Sequence, residues 1–567
     1  MEFFLTSVEL ETSWEKKEIS PYNIYFNNGT IPGNEIVRDT PLKFILAYGN
    51  FSFISKIRES DDIENIKRNI NKLTNGYLLF FDKYSGVLTI FTDIFGFAHL
   101  FYVINESKIS ISTDYSKLLN VSGKMRDDFA IIDILLFNYA LLDRTLIKDI
   151  KRIKGGSEII VTKKGNKIYH PNNYADNFKI DCVRYDLDNN LFASILRESL
   201  EGEINYGMKI NLSTTGGFDT RALLAVLNNL KLNHDAFTFG QTGNIEQVVA
   251  RGFINRFADN YRFFELDDQY VGRLPEIAEK FIQCNTGNPA ILDLPHYQYI
   301  KPALINSNLI LGFMGGEIMS GQSIGAEITF TRTAGSMLNS DNVEELRTIV
   351  LDEVVGSRLF NSDKISLIID EYIDTLAVYC RTSGKQNILQ FLINEKYAKF
   401  FGAVNKLYSN NINIIIPFMN AKVIDYVLHS GISFLRRKPF SKNPLLQIRT
   451  KVFYARTIKY LSPDLGDTRF DRLYSLDDLF YLYRFPKVIY GYLQSHLLRR
   501  NKKEYPRPHH YDLWFKEFVQ ENVSKLKTEI INPKSLLCTS YEDLSSYEKM
   551  RLVLLSGINL SMNKFLK

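Results

Sequence analysis

The chain has 567 residues, with 69 Lys and Arg against 64 Asp and Glu and a net charge of +5. That length supports a large core and more than one domain, and 45% hydrophobic with 23% charged residues is an ordinary globular composition. So small a charge excess argues against a concentrated basic face for nucleic acid, and four scattered cysteines (Cys182, Cys284, Cys380, Cys538) give neither a disulfide framework nor metal spacing, which points to a reducing, cytoplasmic setting.

The opening Met1-Glu2-Phe3-Phe4-Leu5-Thr6-Ser7 has no basic n-region and does not read as a signal peptide. Residues 1 to about 120 read as mostly β. Tyr77–Phe81 and Val87–Phe91 are apolar runs joined by the turn composition Asp82-Lys83-Tyr84-Ser85-Gly86. Leu100–Ile104 and Ile109–Thr113 continue as strands, and Asp61–Leu73 as a helix. The run Ala130–Leu142 is broken by Asp133 and Asn138, so no membrane span is expected. Composition turns polar from about 170 to 190, which sets the boundary between a first domain, 1–175, and a second, 176–567.

Leu191–Glu201 is predicted as a helix, and Met208–Leu212 as a buried strand. Next comes Ser213-Thr214-Thr215-Gly216-Gly217-Phe218-Asp219-Thr220, and then Leu223, Leu224, Leu227 and Leu230 on one helical face. A Gly-rich turn between a strand and a helix N-terminus presents backbone N–H groups and the positive end of the helix dipole to an anion. Gly216 and Gly217 allow close approach, Thr215 and Thr220 can donate, and Asp219 suits the Mg2+ that accompanies phosphate. The plainer alternative is a tight βα turn with a Thr cap. No Lys follows, so this is not a GxxxxGK[ST] loop.

Ala236–Gly240 is the next strand and its exit, and Ile245, Val249, Phe253 and Phe257 mark a crossover helix. This alternation predicts a parallel, doubly wound sheet. Leu309–Leu311 is another buried strand, with Met314-Gly315-Gly316-Glu317 as its exit loop. Residues 330–530 are helical by pattern. The basic stretch Leu498–Lys503 with His509-His510 reads as a solvated helix end without metal spacing.

Thr215-Gly216-Gly217-Phe218-Asp219-Thr220 resembles the Ser-Gly-Gly-x-Asp-Ser pyrophosphate loop of ATP pyrophosphatases. Asp93-Ile94-Phe95-Gly96, Ser112-Thr113-Asp114 with Leu118-Leu119, and Arg144–Ile150 with Gly155-Gly156 are similar to stretches of asparagine synthetases. Gly315-Gly316-Glu317 through Gly321 resembles that family's second signature, and Pro417-Phe418-Met419-Asn420 its Pro-Phe-Leu-Asp. The resemblance, which extends to beta-lactam synthetase and lasso-peptide cyclases, covers about residues 70–475. It implies an N-terminal Ntn-hydrolase-like αββα sandwich and an α/β domain of the adenine-nucleotide α-hydrolase type with a helical C-terminal part.

It also implies ATP and Mg2+ as cofactors. Leu212, Ser213, Thr214, Thr215, Gly216, Gly217, Thr220, Phe239, Gly240, Gly315 and Gly316 would hold the nucleotide, with Phe239-Gly240 beside the adenine. Asp219 and Glu317 would be the catalytic metal ligands. The function implied is an AMP-forming amide ligase acting on a carboxylate and an amine. The alternatives are asparagine synthesis from free ammonia and a non-catalytic nucleotide-binding relative. A dimer or a biosynthetic partner protein is compatible with either.

Three departures carry chemistry. The family's glutaminase nucleophile is a Cys after Met removal, and here residue 2 is Glu, so that activity is expected to be absent. The acid–base residue before the second Gly pair is replaced by Met314. The Lys that faces the reacting phosphate has no clean match, leaving Arg469, Arg472, Lys438, Lys442 and Lys451 as options.

Overall fold

The computed structural model describes residues 1–9, 12–27, 33–59, 62–106, 108–179, 183–284, 295–320, 332–339, 342–380, 384–409, 411–436, 445–500, 516–526, 528–532, 537–540 and 543–565. Gly321, Cys182, Lys438, Lys442, His509 and His510 lie outside them.

The first part of the chain builds two six-stranded antiparallel sheets. One contains β1 (Glu2–Thr6), β2 (Glu15–Ile19), β3 (Tyr22–Asn27), β8 (Phe101–Asn105), β9 (Lys108–Ser112) and β10 (Lys151–Arg152), in the order β10-β8-β9-β1-β3-β2. The other contains β4 (Glu35–Asp39), β5 (Lys43–Gly49), β6 (Gly76–Asp82), β7 (Val87–Thr92), β11 (Glu158–Thr162) and β12 (Gly165–Tyr169), in the order β12-β11-β7-β6-β5-β4.

Alternation along the strands sets the layers. Phe3, Leu5, Ile24, Phe26, Ile109 and Ile111 of the first sheet share a core with Phe44, Leu46, Leu79, Leu88 and Ile90 of the second. The intervening residues point the other way. Ile45, Ala47, Leu78 and Phe80 pack against α1 (Phe51–Arg58) and α2 (Ile63–Asn69). Phe4, Tyr25, Phe101 and Val103 belong to the core that holds α3 (Tyr115–Leu118) and α4 (Asp128–Phe137). The Asp93-Ile94-Phe95-Gly96 turn is fixed by the buried Asp93 carboxylate, which accepts from the Phe97 and Ala98 N–H groups at 2.8 Å each.

Beyond α5 (Tyr174–Asn177) and α6 (Asn189–Glu201) the chain forms a five-stranded parallel sheet. It consists of β13 (Lys209–Ser213), β14 (Asp235–Gly240), β15 (Asn260–Glu265), β16 (Ser307–Ile310) and β17 (Asn413–Ile415), in the order β15-β14-β13-β16-β17. α7 (Phe218–Asn229) and α8 (Ile245–Arg251) connect the first three strands. α9 (Asp268–Gly272), α10 (Leu274–Cys284) and α11 (Pro295–Ile300) lead back to β16, and α12 (Gly315–Ser320) follows it. Strand order reverses between β13 and β16, the kind of position where open α/β sheets place ligand sites.

Three expectations need correction. The helix over 245–257 stops at Arg251, because Gly252 caps it, and 254–256 is a separate 3₁₀ turn. Glu317 lies in the first turn of a helix and not in a loop. The pattern over 330–530 hides strand β17, whose Ile414-Ile415 is β-branched and is stopped by Pro417.

A π-helix, Phe391–Phe401, and the α-helix that continues it, Gly402–Tyr408, bind the antiparallel sheets to the parallel one. The Tyr397 ring stacks on Phe97 at 4.7 Å, Arg152 donates to the Ala398 carbonyl at 2.6 Å, and Lys399 donates to the Ala140 and Leu142 carbonyls at 2.6 and 2.7 Å. Glu2 is ion-paired to Lys406 at 2.6 Å. Lys406 holds its carboxyl below the ordinary range, so residue 2 acts as a strut.

Candidate functional site

The loop after β13 is tied down by its own side chains. Thr215 N–H donates to Thr220 Oγ1 at 3.2 Å, and Thr220 Oγ1 donates to the Thr215 carbonyl at 3.3 Å. Gly217 N–H donates to Thr215 Oγ1 at 3.2 Å. Thr220 therefore shapes the turn, and its hydroxyl is not the free donor that the sequence suggested. Thr214 is buried, its N–H and carbonyl are held by the β14 residues Phe237 and Thr238, and its Oγ1 has no hydrogen-bond partner. Leu212 is fully buried and Ser213 nearly so, and Leu212 can contribute to a ligand only through its backbone.

A second segment closes over the loop. Asp471 N–H donates to the Gly216 carbonyl at 3.1 Å. That segment is anchored by Arg221 of α7, which the sequence reading missed. Its buried guanidinium lies between the Phe253 and Phe470 rings, 4.3 and 4.2 Å from their centroids, and donates to the Thr468 carbonyl at 3.0 Å and Thr468 Oγ1 at 2.6 Å. Arg221→Leu strands these acceptors and is expected to lower stability by about 3 kcal/mol, read as an earlier midpoint in urea unfolding.

The β16 exit meets this loop. A Cβ built on Gly315 would lie 2.5 Å from Asp219 Cγ and 2.6 Å from Oδ1, so the Asp219 carboxyl is seated against the first turn of α12. The Gly316 N–H interacts with it. Two separate predictions, Gly315-Gly316-Glu317 and Asp219, thus converge on one place. Gly315→Ala is expected to displace Asp219 or the helix and cost about 1–3 kcal/mol, measurable by the same unfolding midpoint.

Electrostatics mark the Asp219 carboxyl. Burial, then the nearby Glu317 charge, push its pKa up to about 7. The Tyr454 hydroxyl favours the ionised form but makes no hydrogen bond of good geometry. Glu317 is in turn paired with Lys396 of the π-helix at 3.4 Å, and both side chains are largely buried. Neither Tyr454 nor Lys396 stands in a matched motif. Each comes from a helix whose apolar pattern looks like ordinary core.

On the helix Leu445–Leu461 that carries Tyr454, Lys451 lies one turn earlier. Burial and the charge of Arg472 lower its pKa, and Asp471 opposes them. Arg472 approaches Asp471 at 3.6 Å. So Lys451 and Arg472 gather beside the residue that caps the Gly216 carbonyl. The Arg469 carbonyl is held by Arg221.

Phe239, at the end of β14, is half-buried and stacks on His296 at 4.3 Å, with Gly240 closing the strand. Met314 is fully buried with φ +67°, a strained value for a residue with a side chain, and its thioether points into the core.

Among the described residues no group of three or more His, Cys, Asp or Glu could hold a metal ion unaided. Asp219 with Glu317 is a two-carboxylate pair. Mg2+ uses this donor number when substrate phosphates and water complete its shell.

No protein-family model matches the chain, and no curated protein matches its sequence.

Proposed function

We propose that the chain is an AMP-forming amide ligase of the asparagine-synthetase type, its antiparallel part Ntn-hydrolase-like and its parallel sheet of the adenine-nucleotide α-hydrolase type. One observation carries this reading. Where strand order reverses, the Thr215–Thr220 turn and the Gly315-Gly316-Glu317 helix start meet, with Asp219 lodged between them.

In this reading a substrate carboxylate oxygen attacks the α-phosphorus of ATP. The bond to the bridging oxygen breaks and pyrophosphate leaves. The Gly216-Gly217 backbone and the start of α7 face the leaving group, with Lys451 and Arg472 beside it. Asp219 and Glu317 would hold Mg2+, which would supply charge neutralisation on the phosphates. An amine nitrogen then attacks the acyl carbon, the acyl–phosphate bond breaks, and AMP leaves as the nitrogen passes its proton to water. Phe239 with Gly240 would border the adenine.

The amine would be free ammonia, a group on a partner protein, or a group on the substrate itself, since Glu2 is engaged by Lys406 and supplies no nucleophile. The reading places the enzyme in the cytoplasm, alone, as a dimer, or with a biosynthetic partner. No helix among the described residues is long and apolar enough to cross a membrane.

The enclosed Met314 and the Lys396 grip on Glu317 favour a second reading, a nucleotide-binding relative without turnover. Pyrophosphate release separates the two, assayed with Mg2+, ATP and a panel of small, sugar-acid and peptide carboxylates with amines. The ligase reading expects release with a matching carboxylate. Tight ATP binding with no release across the panel selects the second.

A further inference from the structure

A cavity of about 700 Å³ lies where the edges of both antiparallel sheets meet the π-helix. Residues of β8, β10 and β12 line one side, and the π-helix and the helix Ile369–Cys380 line the other. None of the lining residues belongs to the Asp219–Glu317 site. The volume is that of a small-molecule site. Tyr102, Leu142, Ile153, Ile168 and Val378 give it apolar walls.

Among the described residues, the charged groups of the lining are paired with one exception. Glu395 is held by Lys399 at 2.5 Å, by the Tyr379 hydroxyl at 2.6 Å and by the Leu142 N–H at 3.2 Å. Asp176 takes Lys154 at 2.5 Å and the Gln390 amide at 3.2 Å. Asp143 has Lys151 at 3.9 Å. Burial and the Lys154 charge lower the His170 pKa, so its ring is neutral near pH 7. The exception is Arg152, which is only 8% exposed. Its Nη2 donates to the Gly96 carbonyl at 2.7 Å and the Ala398 carbonyl at 2.6 Å. Its Nε and Nη1 donate to no described residue, and the charges of Glu395 and Asp93 reach it only at longer range. A guanidinium stays charged, and burying one without a counter-ion is costly.

We propose that this cavity binds a small organic acid that carries one negative charge on an apolar body. The carboxylate accepts from the Arg152 guanidinium in a charge-assisted hydrogen bond, and the body lies against the apolar walls. One uncompensated cation matches one negative charge, and Glu395 and Asp143 on the same lining oppose a second. A cationic ligand would meet the guanidinium and find Glu395 and Asp176 already engaged. The inference is independent of the ligase reading.

The test is a ligand-observed NMR titration of the full chain with benzoate, phenylacetate and octanoate, beside benzamide, benzylamine and phenyl phosphate. The expected result is a Kd on the order of 1 mM or tighter for at least one acid, with benzamide and benzylamine at least about tenfold weaker. Arg152→Gln keeps an amide donor for the two carbonyls and removes the charge. It should weaken the best acid at least about tenfold and leave benzamide unaffected. Val378→Asp, at a position 48% exposed, adds a carboxylate to the lining without entering the core. It should weaken the acid about fivefold, and it decides the case if Arg152→Gln does not fold. Failure of all three acids to bind at about 10 mM overturns the proposal, as does equal binding of benzamide. Tighter binding of phenyl phosphate assigns a dianion and overturns it too. Unchanged acid binding in folded Arg152→Gln, or in Val378→Asp where that variant decides, places the acid elsewhere and overturns it equally.

Discussion

Asp219→Ala is expected to reduce Mg2+-dependent pyrophosphate release by about 10²–10³-fold, measured against wild type with the same carboxylate and amine. The side chain starts α7, rests on Gly315 and faces Glu317, so it joins the two segments that would face the phosphates. Asp219→Asn should lose release to a similar degree, since a neutral amide is a poor metal ligand. It should also reveal the cost of the native carboxylate. A carboxyl whose pKa is raised to about 7 binds its proton more tightly in the folded state than in the unfolded one. Its contribution to stability is therefore complete below the ordinary carboxylate range and is lost as pH rises toward about 7. The Asn variant should be more stable than wild type at pH 8 without metal, and the gap should shrink as pH falls. Mg2+ binding to the native pair should stabilise wild type and not the variant.

Lys396→Met is expected to cost about 3–5 kcal/mol, because it leaves Glu317 buried without its cation and next to Asp219. Urea unfolding reads this directly. Lys396→Arg keeps the charge and should retain most of the stability. The double variant Lys396→Met, Glu317→Gln removes both partners and should recover much of the loss, which makes the coupling measurable as a double-mutant cycle. An unchanged midpoint for Lys396→Met would show that the pair is not held in solution. The lysine sits on the π-helix seated against Phe97, Ala140 and Leu142, so the antiparallel sheets fix a residue that grips the candidate site. A wide π turn inserted in a helix often accompanies a functional position.

The sequence made legible what is local. Met208–Leu212, the Gly216-Gly217 turn and the leucines after it specify strand, turn and helix within one short stretch, and the structure has that unit at 209–229. The strands at Tyr77–Phe81 and Val87–Phe91 were equally clear, because apolar β-formers flank a turn composition. What failed was non-local or hidden by composition. Gly252 ends a helix whose apolar spacing continues past it. Lys396 and Tyr454 look like ordinary helix residues, and only the packing of their helices brings them to Glu317 and Asp219. Thr220 looked like a phosphate donor, but the turn itself uses its hydroxyl.

The most direct test of the central claim is pyrophosphate release from ATP by the wild-type chain, with Mg2+ and the carboxylate and amine panel, alongside Asp219→Ala. The account predicts release that requires Mg2+ and a particular carboxylate, yields AMP in equal amount, and disappears in the variant. Release of orthophosphate and ADP would contradict it, and so would pyrophosphate release unaffected by Asp219→Ala.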